Sequence, residues 1–194
     1  VWENNAAYVF PTVASTMLLS SSSASDTAVT VQIDGLDANY NRITELVTTN
    51  GVTGVPTTNV FWRINSVITT AGVAVATLYV KNAGGTTYAQ VTIGNGRTNM
   101  SVYSVPAGYT FYLGQTDAWS VTSGVFATYR TLVVSDTGIS NIVLQAPFLN
   151  SVAIERKYPL AFIQKSDLQF QCKSSGAGLI LGTLANGVLI KNPD

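Results

Sequence analysis

The side chains best suited to acid, base and metal chemistry are scarce in this chain of 194 residues, which has no histidine at all. Histidine is the commonest general base near neutral pH and a leading metal ligand. Serine–histidine, cysteine–histidine and histidine–metal constellations are therefore excluded. A serine/lysine pair stays formally open, and Lys165, Ser166 and Asp167 are the place where those types adjoin. A corner leading into a strand asks for the same residues, and the triplet is read as that corner. The ten carboxylates are dispersed, so a glycosidase-type pair would depend on folding that spacing does not reveal. Asp34, Asp37, Asn39 and Asn41 crowd oxygen atoms as a calcium loop would, without the glycine and terminal glutamate of a known loop. Side chains that close a turn through backbone hydrogen bonds explain them more simply. The expectation is a chain with no catalytic residues, no cofactor and no metal.

The remaining candidates point the same way. Gly94-Asn95-Gly96 follows a strand pattern, as a phosphate-binding loop would. The next residues read as another strand, so there is no helix N-terminus to receive an anion and a hairpin is expected. Tyr103, Tyr109, Phe111, Tyr112, Trp119 and Tyr129 could stack on sugars, but core and interface packing accounts for them better. The single cysteine, Cys172, cannot make an intramolecular disulfide and reads as a small apolar residue on a strand. Ten basic and ten acidic side chains give zero net charge with no basic stripe, which argues against nucleic acid. A surface this poor in charge suits a protein that packs against neighbours.

No apolar run approaches the roughly 20 residues that span a bilayer. Residues 13–19 lack the basic flank of a signal peptide. The chain reads as soluble, with no membrane partner, and its first residue, valine rather than methionine, suggests trimming or processing.

The elements that position these residues are short and β-like. Residues 1–27 stand apart, with Trp2, Tyr8, Phe10 and Pro11 followed by a serine-rich stretch. They are read as an N-terminal arm or linker whose four anchors, Trp2, Tyr8, Phe10 and Pro11, are candidates for binding a partner. From residue 28 the period is two. Residues 29–33 and 43–48 alternate, and residues 60–68 and 73–80 are apolar on both parities, as central strands are. Residues 82–86 read as a hairpin loop. Further strand runs are 89–93, 100–105, 109–113, 125–134, 142–148, 168–172 and 178–190. Leu168, Phe170 and Cys172, set against Asp167, Gln169, Gln171 and Lys173, predict one core face and one solvent face. About ten strands between glycine, proline and asparagine turns predict an all-β fold, an antiparallel β-sandwich or jelly-roll-like single domain over residues 28–194 with an extended N-terminal arm. A closed barrel is the alternative.

Three blocks carry a resemblance. Residues 35–67, GLDANYNRITELVTTNGVTGVPTTNVFWRINSV, resemble the "GLDANYNEI…VTLNG…TTNSFLRIN" stretch of a β-rich virion protein family of tailed bacteriophages. Residues 95–114 are similar to that family's "GQTLMAVYTIPAGKTGYL" pattern, and residues 147–175 to its "PF…PL.F.EKSDI.VRA.SS" region. The closing GLILGTLANGVLIKN resembles its last hairpin. The match fades near Ala28 and around residues 135–140. The resemblance implies a structural protein of the virion, assembled in the host cytoplasm, with no catalytic residues to carry over. The expected role is capsid decoration or cementing, with the major capsid protein and copies of itself as partners in a homo-oligomer, a trimer among the arrangements open to it. The alternative is a tail-associated, fibre-like protein that recognises host glycans.

Overall fold

The computed structural model describes residues 8–124, 126–135, 139–174 and 181–193. Position 125, and 178–180 at the start of the last expected run, lie outside them. Among the described residues the protein is all-β, with fourteen strands, antiparallel pairing throughout and no helix. It divides into two compact units, residues 2–100 and 101–194, rather than one domain from residue 28. The physical reason is that two separate apolar cores form, one within each unit.

The first unit comprises β1 (Ser15–Ser21), β2 (Thr30–Leu36), β3 (Arg42–Thr48), β4 (Val55–Phe61), β5 (Arg63–Ala71), β6 (Leu78–Lys81) and β7 (Thr87–Val91). They form a four-stranded sheet, β4-β1-β6-β7, and a three-stranded sheet, β3-β2-β5. Met17 and Leu19 of β1, Val31 and Ile33 of β2, Phe61 of β4, Val67 of β5 and Leu78 of β6 meet in one core drawn from both sheets. Period-two side-chain alternation makes this possible, because each strand turns every second residue inward.

Two expectations are corrected here. Residues 15–21, assigned to an arm, are an inner strand paired with β4 on one side and β6 on the other. The serine-rich sequence hid this, since only Met17, Leu18 and Leu19 mark it as apolar. The run at residues 60–68 is two strands in different sheets, broken at Trp62, whose N–H donates to Leu36 O at 2.8 Å. It is apolar on both parities because the chain changes sheet in the middle of it.

The loop at residues 82–86 is the hairpin expected, with Thr86 N donating to Asn82 Oδ1 at 2.9 Å and Gly85 at φ +84°. Gly94-Asn95-Gly96 is a turn but does not open a hairpin. Thr69 N donates to Gly96 O and Thr98 N to Val67 O, so the chain returns along β5.

The second unit comprises β8 (Val102–Ser104), β9 (Tyr109–Ser120), β10 (Phe126–Val134), β11 (Ser140–Leu149), β12 (Ser151–Phe162), β13 (Asp167–Ser174) and β14 (Leu181–Lys191). Its sheets are β11-β10-β13-β8 and β12-β9-β14. The pairing is nested. β10 folds back on β11, β9 then pairs with β12, and β8 with β13, so one long antiparallel ribbon supplies strands to both sheets. β14 adds to the free side of β9. Leu113, Ala118, Tyr129, Phe148, Phe162, Leu168 and Phe170 form the core.

β12 covers residues expected only as an extended approach around Tyr158 and Pro159; its charged Glu155, Arg156 and Lys157 masked the strand. β13 also differs from expectation. Asp167 and Gln169 are buried along with Leu168 and Phe170. The polar face of this inner strand is roofed by long side chains of β13 and its neighbour β10: Gln171 Nε2 donates to Gln169 Oε1 at 2.5 Å and Arg130 Nε to Gln171 Oε1 at 2.5 Å.

Gly35 on β2 allows the closest backbone approach in the first unit. A Cβ there would collide with Arg63 O and sit 2.8 Å from the Phe61 ring. Because backbone cannot yield as a flexible side chain can, Gly35→Ala should destabilise the first unit by about 3 kcal/mol. Denaturant unfolding followed by Trp62 emission, with Trp2 and Trp119 replaced by Phe, checks this; an unchanged midpoint would contradict it.

Candidate functional site

The four candidate anchors can now be placed. Trp2 lies outside the described residues. Tyr8 and Pro11 are buried and Phe10 is half-buried, all against the first unit itself. Their organising partner is Arg63, a buried arginine at the start of β5 with 7% of its surface exposed. Its guanidinium carbon lies 5.1 Å from the centre of the Phe10 ring, 5.6 Å from that of Tyr40 and 5.2 Å from that of Trp62. Nη1 donates to Pro11 O at 2.8 Å and to Trp62 O at 3.0 Å, and Nη2 donates to Tyr40 Oη at 3.3 Å. Trp62 Nε1 donates to the same Pro11 carbonyl at 3.1 Å. Tyr8 packs edge-on against Phe10, with ring centres 5.0 Å apart.

A delocalised, weakly hydrated guanidinium tolerates burial among aromatic faces better than an ammonium would, and each desolvated ring contact is worth about 1–2 kcal/mol. The assembly is a latch. It ties the N-terminal segment, the 37–41 turn and the corner at Trp62 where the chain changes sheet. In this conformation Tyr8, Phe10 and Pro11 cover their own unit, and a partner reaches them only by displacing them. Sequence reading missed Arg63, Tyr40 and Trp62 as members. The signal present was one arginine inside an otherwise apolar stretch, NVFWRIN.

The oxygen cluster at the first turn is hydrogen-bonded as a turn. Asp37 Oδ1 accepts from Asn39 N at 2.8 Å and Asn41 N at 2.9 Å, and Oδ2 accepts from Asn41 Nδ2 at 3.0 Å. Tyr40 takes φ +65°, which delivers its ring to Arg63. Asp34 belongs to the sheet instead. It accepts from Gln32 on its own strand, from Thr44 Oγ1 at 2.7 Å on β3 and from Ser66 Oγ at 3.2 Å on β5, crossing all three strands. No group of three or more histidine, cysteine, aspartate or glutamate side chains is gathered for a metal among the described residues.

Lys165, Ser166 and Asp167 form a corner in the second unit. Lys165 takes φ +64°, its N–H donates to Val105 O, and Val105 N donates to Ser166 O. Buried Asp167 accepts from Ser104 Oγ at 2.6 Å. Of the aromatic set, Tyr129 is buried, and Tyr103, Tyr109 and Phe111 pack on the core. Trp119 is 42% exposed and lies across Gly182. Cys172 packs against the core, and burial pushes its thiol up to about 11, which leaves little reactive thiolate near neutrality. No helix among the described residues is long and apolar enough to cross a membrane. No protein-family model matches this chain, and no curated protein or solved structure matches it.

Two outcomes follow for the latch and its turn. Arg63→Ala should cost about 3 kcal/mol, since it removes the ring contacts and two donors to the Pro11 and Trp62 carbonyls. Limited proteolysis should then release the segment before β1 at least tenfold faster, and equal rates would refute the latch.

At Asp37, partial burial raises the carboxyl pKa, but the Asn41 side-chain bond and the Asn41 and Asn39 backbone bonds outweigh it and hold the group below its ordinary 3.8. A depressed folded pKa gives stability that is present above the unfolded value and lost as pH falls through the folded one. Asp37→Ala should therefore lower the unfolding free energy at pH 6 by about 1 kcal/mol, read as a lower urea midpoint. The difference from the native chain should shrink as pH falls below 3.8.

Proposed function

We propose that this chain is a structural, non-enzymatic component of a tailed-phage virion: a capsid decoration or cement protein that binds the major capsid protein and copies of itself. The likeness of residues 35–67, 95–114 and 147–175 to the virion family supports it. The nested ribbon of the second unit supports the finer fold reading, because a jelly roll arises when such a ribbon is rolled into two facing sheets. The first unit, with two sheets over one core, is read as a β-sandwich.

The observation that carries the role is the outer surface of the second unit. Phe126 and Leu149, directly opposite each other on β10 and β11, are 64% and 47% exposed. Leu184, Val188 and Ile190 stand exposed along β14, an eleven-residue edge strand with no proline, with Lys191 as its only charge and with a single register slip against β9 at Asn186/Gly187. Edge strands of monomers are normally blunted by charge, proline or bulges. In the first unit such sealing is present: Glu45 of β3 accepts from Thr58 N at 2.6 Å and Asn59 N at 2.8 Å on β4. The open strand of the second unit fits a contact with a second copy of the chain, and many weak contacts on a shell add up through multivalency.

Quantitative gels of purified particles of the encoding phage should give hundreds of copies per particle. A dozen or fewer would move the chain to the tail and favour the glycan-binding reading; none would end the virion reading. Val188→Lys combined with Ile190→Lys should leave the circular dichroism unchanged while reducing particle occupancy at least tenfold. An N-terminal truncation used to probe the arm has to stop before Ser15, because β1 is part of the first core.

A further inference from the structure

The core of the second unit encloses a positive charge. Val152 and Ile154 of β12 pack inward. Arg156 is the next residue on that face, placed where pairing with β9 slips between Glu155 and Leu160. Its Nη1 and Nη2 are closed off from solvent and meet no hydrogen-bond acceptor. Around it stand further donors. Tyr129 Oη and Thr131 Oγ1 on β10 share a 2.6 Å hydrogen bond, which uses one of their two protons, and Thr116 also acts on the Tyr129 hydroxyl. Thr116 on β9 is 1% exposed, and its hydroxyl makes no hydrogen bond of good geometry. Burial raises the Tyr129 phenol pKa, and Thr131, Thr116 and the charge of Arg156 pull it back. These groups therefore lie within electrostatic reach of one another. Cys172, opposite Tyr129 on β13, is the other titrating neighbour.

An ionised group with no counter-charge is costly to bury. We propose that Arg156, Thr116, Tyr129 and Thr131 form a buried site for a small monovalent anion of the halide class. A carboxylate from another protein would have to carry its own backbone into the core, whereas a free ion needs only a transient opening. A divalent oxyanion would carry a much larger dehydration penalty into the same place. A halide needs only donors around it, and donors are what the site supplies.

The test is the denaturant unfolding of the full chain, followed by tryptophan emission, in sodium chloride against sodium gluconate at constant ionic strength. Chloride should raise the midpoint in a saturable way. At a concentration 100 times its Kd, the unfolding constant should fall about 100-fold. Arg156→Met should abolish the chloride response. Thr116→Val keeps the guanidinium and serves if the first variant does not fold; it should shift half-saturation to at least fivefold higher chloride. Equal midpoints in chloride and gluconate for the native chain would overturn the proposal, as would an unaltered chloride response in Thr116→Val. Crystals grown in bromide should show an anomalous peak beside Arg156, and its absence would count equally against the site.

Discussion

A β-sheet with one apolar face has to cover that face, and both halves of this chain meet the requirement with a four-stranded and a three-stranded sheet that contribute to one apolar core in each half. Almost every other feature follows from that constraint. Chain segments must cross between sheets, and in the first unit the sharpest crossing falls at Trp62, between β4 and β5. Corners then need residues that accept unusual backbone angles, which is where Asn150 and Lys165 appear with positive φ, at the β11–β12 and β12–β13 links of the second unit. Several of the polar side chains that stay inside, Asp26, Arg63 and Asp167 among them, sit at or beside those crossings.

Those interior polar groups are handled in different ways. Asp26 is 2% exposed and is satisfied locally, by Ser21 Oγ at 2.6 Å and Val75 N at 2.8 Å, so it pins a loop to the first unit. Arg63 is held by carbonyls and ring faces, and in return it fixes three separate segments. Asp167 is held by Ser104 across the β8–β13 pair. Arg156 is the member whose outer nitrogens the protein itself does not satisfy. A buried group that the fold leaves unsatisfied is a more specific pointer to a ligand than an exposed one, because solvent cannot relieve it.

The stretch at residues 35–67 gains a physical explanation. Gly35 admits the β5 backbone, Asp37 closes the turn that presents Tyr40, and Trp62 and Arg63 complete the latch. These residues lie up to 28 positions apart, from Gly35 to Arg63, yet converge on one point, which no local pattern could have indicated. The same limit explains the strand at residues 15–21. Serine at its ends disguised it, and its place between β4 and β6 depends on partners 36 to 63 positions away. β12 escaped notice for the opposite reason: its charges and proline suit an exposed edge, a location that exists only once β9 is beside it.

By itself the sequence determined the all-β class, the turn chemistry at residues 37–41 and 82–86, and the inward identity of residues such as Ile33 and Leu168. These are local properties. Side-chain period, glycine and proline geometry, and Asx hydrogen bonding act over a few residues and can be read without knowing the fold. Only the tertiary structure decided that there are two cores, that the N-terminal aromatics close over Arg63, and that Arg156 points inward. Each depends on which strands become neighbours, and strand pairing is a long-range choice made by total burial rather than by the residues of any one strand.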